Sequence, residues 1–193
     1  SHARAAGDDA PMFTLLPEFT PEQIAQPAWI RAKVYQPLMV SMDTVTRTLA
    51  DAPLEDTPKA NSPLIVFLPT PDGVFQRFSV VEAPIMEPAL AAQFPNIKTY
   101  RGQGIDDPWA TLRMDHTPQG FHAQVLTPTG RGAWYIDPFT DRDTVLHTSF
   151  YKGDLRRTMP WTCDVLGQNI AMRGGNGGTA ERSSGTSLRT LRL

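Results

Sequence analysis

The chain of 193 residues contains a single cysteine, Cys163. One thiol excludes an internal disulfide framework and any two-cysteine redox motif. No run of 18 apolar residues occurs, so no helical membrane span is expected. The opening SHARAAGDDAP has no apolar signal core, and it reads as what remains after a signal peptide is removed, or in part as an expression scar. Catalytic signatures are missing too. There is no H-E-x-x-H helix, no G-x-S-x-G elbow and no cysteine–histidine pair at useful spacing. As an isolated catalyst the chain has almost nothing to offer.

What is abundant is proline. The chain holds 18 of them, roughly twice the usual usage of about 5%, and such a chain is poor in long helices and rich in turns and strand edges. The net charge of -2 hides an asymmetry: residues 1–150 carry 11 Lys/Arg against 17 Asp/Glu, and residues 151–193 carry 7 against 3. The basic residues of the tail are spread among Gly, Ser and Thr without interleaved aromatics. That pattern argues against nucleic-acid binding and for a protease-sensitive connector.

Along the chain, residues 1–28 read as a Pro- and Ala-rich arm and residues 29–166 as the folded domain. RAKVYQPLMVSM alternates as a strand interrupted by Pro37. Asp43 then caps a short helix through TVTRTLADA, which Pro53 ends. The clearest hairpin is LIVFL, PTPDG, VFQRFSVVE, with Asp72-Gly73 as its turn. MEPALAAQF is a two-turn helix with Pro88 near its start. Five strand-like runs follow, IKTYRG, ATLRMDH, FHAQVLT, AWYIDPF and VLHTSFY, separated by turn-forming segments. The expected fold is therefore α+β and β-rich: seven or more short strands, mostly in an antiparallel meander, with two short helices. Residues 167–187 have the composition of a flexible Gly/Ser-rich linker. Residues 188–193 resume strand-like alternation, as the opening of a further domain.

The stretch RGQGIDDPWATLRMD, residues 101–115, is the densest in candidate chemistry. It is no Rossmann phosphate loop, because a short strand follows the glycines instead of a long helix. Asp106 and Asp107 are adjacent, so their side chains diverge. Only Asp115 could join them at a calcium ion, and they cannot face each other across a glycosidic bond. The expected role is a turn: Gly102 and Gly104 supply permissive backbone, Asp106 or Asp107 bonds its own turn, and Pro108 fixes the exit. Of the histidines, His2 lies in the arm, His116 and His122 flank the TPQG turn, and His147 lies in a later strand. They read as satisfied or exposed strand residues, with a small metal site from His116 or His122 and an aspartate as the sharper reading. Cys163, in PWTCDVLG, is either a small buried hydrophobe or a thiolate for a zinc ion in another segment. In the second case sulfur would fill the position that a catalytic zinc keeps for water.

The stretch FQRFSVVEAPIMEPALAAQFPNIKTYRGQGIDDPWATLRMDHTPQGFHAQVLTP, continued by WYIDPF and FYKGDL, resembles the pro-region of bacterial secreted reprolysin-like zinc metallopeptidases. In that family a hairpin leads to E-x-P-x-M-x-P-x-L-A, then K-T-Y-x-G-Q-G-I-D-D-P, a G-F-H strand and a Y-I-D-P strand. The likeness runs from about residue 64 to 154. The terminal SLRTLRL resembles the first strand of the family's catalytic domain, with Leu191 where an aromatic is common.

The resemblance implies a non-catalytic prodomain, secreted, whose partner is its own peptidase domain. Zinc would belong to that missing domain, and no cofactor is expected in this chain. Latency and folding assistance would be its roles, with release by cleavage in the linker; composition and flexibility make Arg173, Arg182 and Arg189 the candidate cut sites. Cys163 is then a candidate inhibitory zinc ligand, although the P-R-C-G surroundings of related animal cysteine switches are absent. Gly102, Gln103, Gly104, Ile105, Asp106, Asp107 and Pro108 would form a family-specific turn, in part a docking surface. The alternative is an independent extracellular β-rich binding module, with a carbohydrate or protein ligand held among Trp109, Trp134, Tyr135 and Trp161.

Overall fold

The computed structural model describes residues 11–28 and 32–155. Nine strands form one antiparallel sheet: β1 (Phe13–Leu15), β2 (Gln36–Val40), β3 (Leu64–Pro69), β4 (Phe75–Glu82), β5 (Lys98–Gly104), β6 (Thr111–Thr117), β7 (Gly120–Leu126), β8 (Trp134–Pro138) and β9 (Leu146–Tyr151). Their order is β1-β2-β9-β8-β7-β6-β5-β4-β3. The run β3 to β9 is thus the expected meander, and β2 and β1 are added beyond its last strand. Alternation places one set of side chains inside. Cross-strand rows such as Val66–Phe78–Gly104 and Tyr100–Met114–Ala123–Ile136–Ser149 face the interior.

The sheet curls until its two edges nearly meet. Phe13 of β1 lies edge-on to Phe121 of β7 with centroids 5.3 Å apart, and Phe78 of β4 lies edge-on to Trp134 of β8 at 6.3 Å. Neither pair joins neighbouring strands, so the rings meet across the enclosed space. Along the seam between β1 and β3 runs a groove of about 250 Å³ lined by Met12, Phe13, Ile65 and Phe67, among others.

Three short α-helices accompany the sheet: α1 (Pro21–Ile24), α2 (Met42–Leu49) and α3 (Pro88–Ala91). Among the described residues only α2 of these helices reaches the core, through Val45 and Leu49. Several expectations need correcting. Ser41, not Asp43, caps α2: its hydroxyl accepts from the Thr44 amide, and the helix ends at Leu49, ahead of Pro53. Pro37 does not interrupt its strand but lies within β2. MEPALAAQF yields four helical residues rather than two turns. The segment read as an arm supplies β1 and α1, the latter closed by a capping box between Thr20 and Gln23. A three-residue strand carries almost no local signal; β1 exists because β2 offers it a ladder.

At the β3–β4 hairpin the expectation holds. Gly73 takes φ of 77°, and its amide donates to the Thr70 carbonyl at 3.0 Å. An L-residue with a side chain rarely adopts that backbone.

Candidate functional site

The GQGIDDP segment is the turn that carries β5 into β6, and the side chains of Gln103, Asp106 and Asp107 are bonded within the chain. Phe78 pairs with Gly104 at the end of the β4–β5 ladder. One step further, the Ile105 amide donates to the Arg77 carbonyl at 2.9 Å, and the Arg77 amide donates to Asp106 Oδ2 at 2.7 Å. A carboxylate thus stands where the next backbone carbonyl would be. Its other oxygen receives Arg77 Nε and Nη2 at 2.9 and 2.6 Å. These bonds from Arg77 hold the Asp106 carboxyl below its usual range.

Asp107 turns the other way. Its Oδ2 accepts from the hydroxyls of Thr127 and Thr129, at 2.6 and 2.5 Å, and its Oδ1 accepts from the Trp109 amide at 3.1 Å. The two hydroxyls, Thr127 first, hold this carboxyl low as well. Gln103 donates to the carbonyls of Ala110 and Pro108, which closes the turn on itself. The two acids therefore anchor opposite flanks and share no space in which a reaction could be placed. What the turn presents to solvent is apolar: Ile105 is exposed and Trp109 is 73% exposed.

The glycines act differently from expectation. Neither Gly102 nor Gly104 has a positive φ. Gly104 is there for space: a Cβ would lie 2.1 Å from the Asp107 carbonyl oxygen and 3.0 Å from Ala110 Cβ.

A second constellation joins His122 to aspartates, a pairing the sequence offers only as a small metal site. On the outer face of β5–β8, strand register aligns Thr99, Asp115 and His122 in one row. His122 Nδ1 lies 2.8 Å from Asp137 Oδ1, so Asp137 extends the row onto β8. This row floors a cleft of about 360 Å³, walled in part by Ala83 and Ile85. The Asp137 hydrogen bond raises the His122 pKa; burial opposes it, and the nearby charge of Asp115 adds to it. An Nδ1–H donating to Asp137 is the protonation that fits. Burial raises the Asp115 pKa, with His122 opposing and Asp137 reinforcing. The signal available in the sequence was the two-residue loop between Thr117 and Gly120, which sets Asp115 opposite His122.

The other described histidines are separate. His116 Nε2 lies 3.0 Å from the Thr46 hydroxyl, and burial lowers its pKa. His147 is fully buried inside the sheet, where its Nε2 accepts from the Phe121 amide at 3.3 Å. Desolvation pushes its pKa down to about 4, so it is a neutral core residue. Among the described residues no three His, Cys, Asp or Glu side chains converge as a metal site, and no helix is long and apolar enough to cross a membrane.

The proposed aromatic pocket does not form from its described members. Trp134 is buried in the interior, and its neighbour Tyr135 points to the opposite face, stacked on Phe150 at 5.7 Å. Trp109 sits apart on the β5–β6 turn. His2, Cys163, Trp161, Arg173, Arg182 and Arg189 lie outside the described residues, as does the linker. Comparison with protein-family models, with curated proteins and with solved structures returns no match to this chain.

Proposed function

We propose that this chain is the prodomain of a secreted zinc metallopeptidase of the reprolysin-like type, holding the zymogen latent and assisting its folding. The supporting sequence feature is KTYRGQGIDDP together with its flanking segments. The observation that carries the reading is the satisfaction of that motif. Arg77, Thr127, Thr129 and the turn's own backbone occupy the side chains of Asp106, Asp107 and Gln103. Such a turn is built to hold a shape, and its outward residues, Ile105 and Trp109, suit docking better than catalysis. The partner is the peptidase domain of the same precursor, and zinc belongs to that domain. Cys163 is the one thiolate this chain could bring to the metal.

The test is inhibition of the mature peptidase, supplied separately, by the full chain and by its Trp109→Ala and Cys163→Ser variants, with zinc content followed alongside. Trp109→Ala is expected to weaken inhibition about 10-fold or more, about 1.4 kcal/mol, without changing thermal unfolding. A matching loss in Cys163→Ser assigns a thiolate on zinc, whereas full inhibition by that variant assigns steric cover. No binding by the wild-type chain, in trans or when co-expressed with the peptidase, would sink the proposal.

A further inference from the structure

We propose that the cleft over Asp115, His122 and Asp137 is a subsite for a basic side chain, an arginine guanidinium or a lysine ammonium, presented by a polypeptide. The proposal goes beyond the prodomain reading and does not depend on which protein supplies that side chain.

Among the described residues no group donates to the Asp115 carboxylate, and Asp137 uses only Oδ1, toward His122. Thr99 donates its hydroxyl to the Ala83 carbonyl at 2.7 Å, leaving lone pairs behind. Gln124 directs its Nε2 at the Tyr135 oxygen, 3.4 Å away, which leaves its carbonyl oxygen free. The floor of the cleft is therefore rich in acceptors. A guanidinium with five N–H donors and no acceptor, or an ammonium with three, matches that surplus.

Ala83 and Ile85 form an apolar wall beside the acidic floor, and Ile85 is 81% exposed. Arginine and lysine carry an apolar stem ending in a charge, and they bury the stem along such a wall. A bare metal ion has no use for it.

A half-buried carboxylate without a donor is costly to keep ionised, and Asp115 faces Asp137 across His122. His122 is faced by Asp115 on β6 and Asp137 on β8, with the neutral His147 nearby on β9; Arg113 lines the cleft from the adjacent row. Arg113 is exposed, so water and salt weaken its repulsion of a second cation. A guest cation does compete with the proton on His122. Affinity should rise with pH as His122 loses that proton, whereas an anionic ligand would show the reverse.

The experiment uses the full chain and two uncharged-backbone probes, acetyl-arginine amide and its neutral isostere acetyl-citrulline amide, followed by amide and imidazole NMR shifts. The expected result is saturable shifts at Asp115, His122 and Asp137 with the arginine probe, at least about 10-fold weaker binding of citrulline, and a lowered His122 pKa when the arginine probe is bound. Asp115→Asn should weaken the arginine probe by a similar factor, with thermal unfolding checked to show that the variant is folded. Equal binding of the two probes, stronger binding at lower pH, or no saturable shift in this row would overturn the proposal. Because no peptidase is present, a negative result leaves the prodomain reading standing.

Discussion

Ser149 on β9 donates its hydroxyl to the carbonyl of Pro69 at the end of β3, 2.9 Å away and fully enclosed. Five strands separate β9 from β3 in the sheet order, so this bond spans the interior rather than a ladder. Nearby, the Tyr151 hydroxyl reaches the Asp72 carboxylate, and the Arg131 guanidinium lies 4.1 Å from the Tyr151 ring centroid. Together these contacts tie the β3–β4 turn to the last strand.

Removing the first of them should be felt globally. Ser149→Ala leaves the Pro69 carbonyl without its partner, and a loss of about 1–3 kcal/mol is expected. Urea unfolding measures it. A midpoint equal to that of the wild type would mean that the curl is held by apolar packing alone.

His147 gives the fold an acid-sensitive component. Its folded pKa of about 4 lies below the ordinary 6.5, so between these values the unfolded chain binds the proton and the native chain does not. Stability from this group is complete above about pH 6.5 and falls as pH drops toward about 4, by on the order of 3 kcal/mol in total. A His147→Gln variant keeps an acceptor for the Phe121 amide and should flatten that slope. An unchanged slope would assign the acid sensitivity elsewhere.

Asp106 predicts a different pH window. Its folded pKa is depressed from 3.8 by the Arg77 bonds, so its contribution is present above that value and is lost as pH falls through the lower folded one. Asp106→Asn should lower the urea midpoint at pH 6, and the gap should narrow as pH falls below 3.8. A gap that persists there would point to altered turn geometry rather than charge.

Gly104→Ala tests the close approach in the β5–β6 turn. The added methyl would meet backbone oxygen and the Ala110 methyl, and about 3 kcal/mol of destabilisation is expected. Gly130→Ala is a poor control because Gly130 has a φ of 57°. Gly153, with open space around it, is the proper one. A thermal midpoint as high in Gly104→Ala as in Gly153→Ala would show that the turn can open without cost.

Much of the sheet was legible because its signals are local. The Asp72-Gly73 turn and the alternating runs on both sides fix the β3–β4 hairpin, and the spacing of Gly and Pro punctuates the strands from Lys98 to Tyr151. What escaped depended on distant partners. β1 owes its ladder to Leu38–Val40, and α2 starts at Ser41 because that hydroxyl, rather than the carboxyl of Asp43, reaches the Thr44 amide. At the IDDP turn both aspartates look alike in sequence, yet Asp106 reaches back to Arg77 and Asp107 forward to Thr127. The row of Asp115, His122 and Asp137 comes from three strands. It becomes visible only when register is known, since each of these residues alone is an ordinary polar residue on a solvent-facing strand.

The placement of β2 beside β9 has a kinetic consequence. Leu38 pairs with His147, about 110 residues further along the chain, whereas the strands from β3 to β9 are each paired with the next in sequence, the longest connection being the α3-bearing segment between β4 and β5. The meander can close by short steps as each strand emerges, while the β1–β2 pair can join it only once β9 is made. Contacts so distant in sequence slow folding, because loop closure precedes any gain from pairing. Docking of the β1–β2 pair onto β9 would thus be the last step in assembling the sheet, although the pair precedes the meander in the chain.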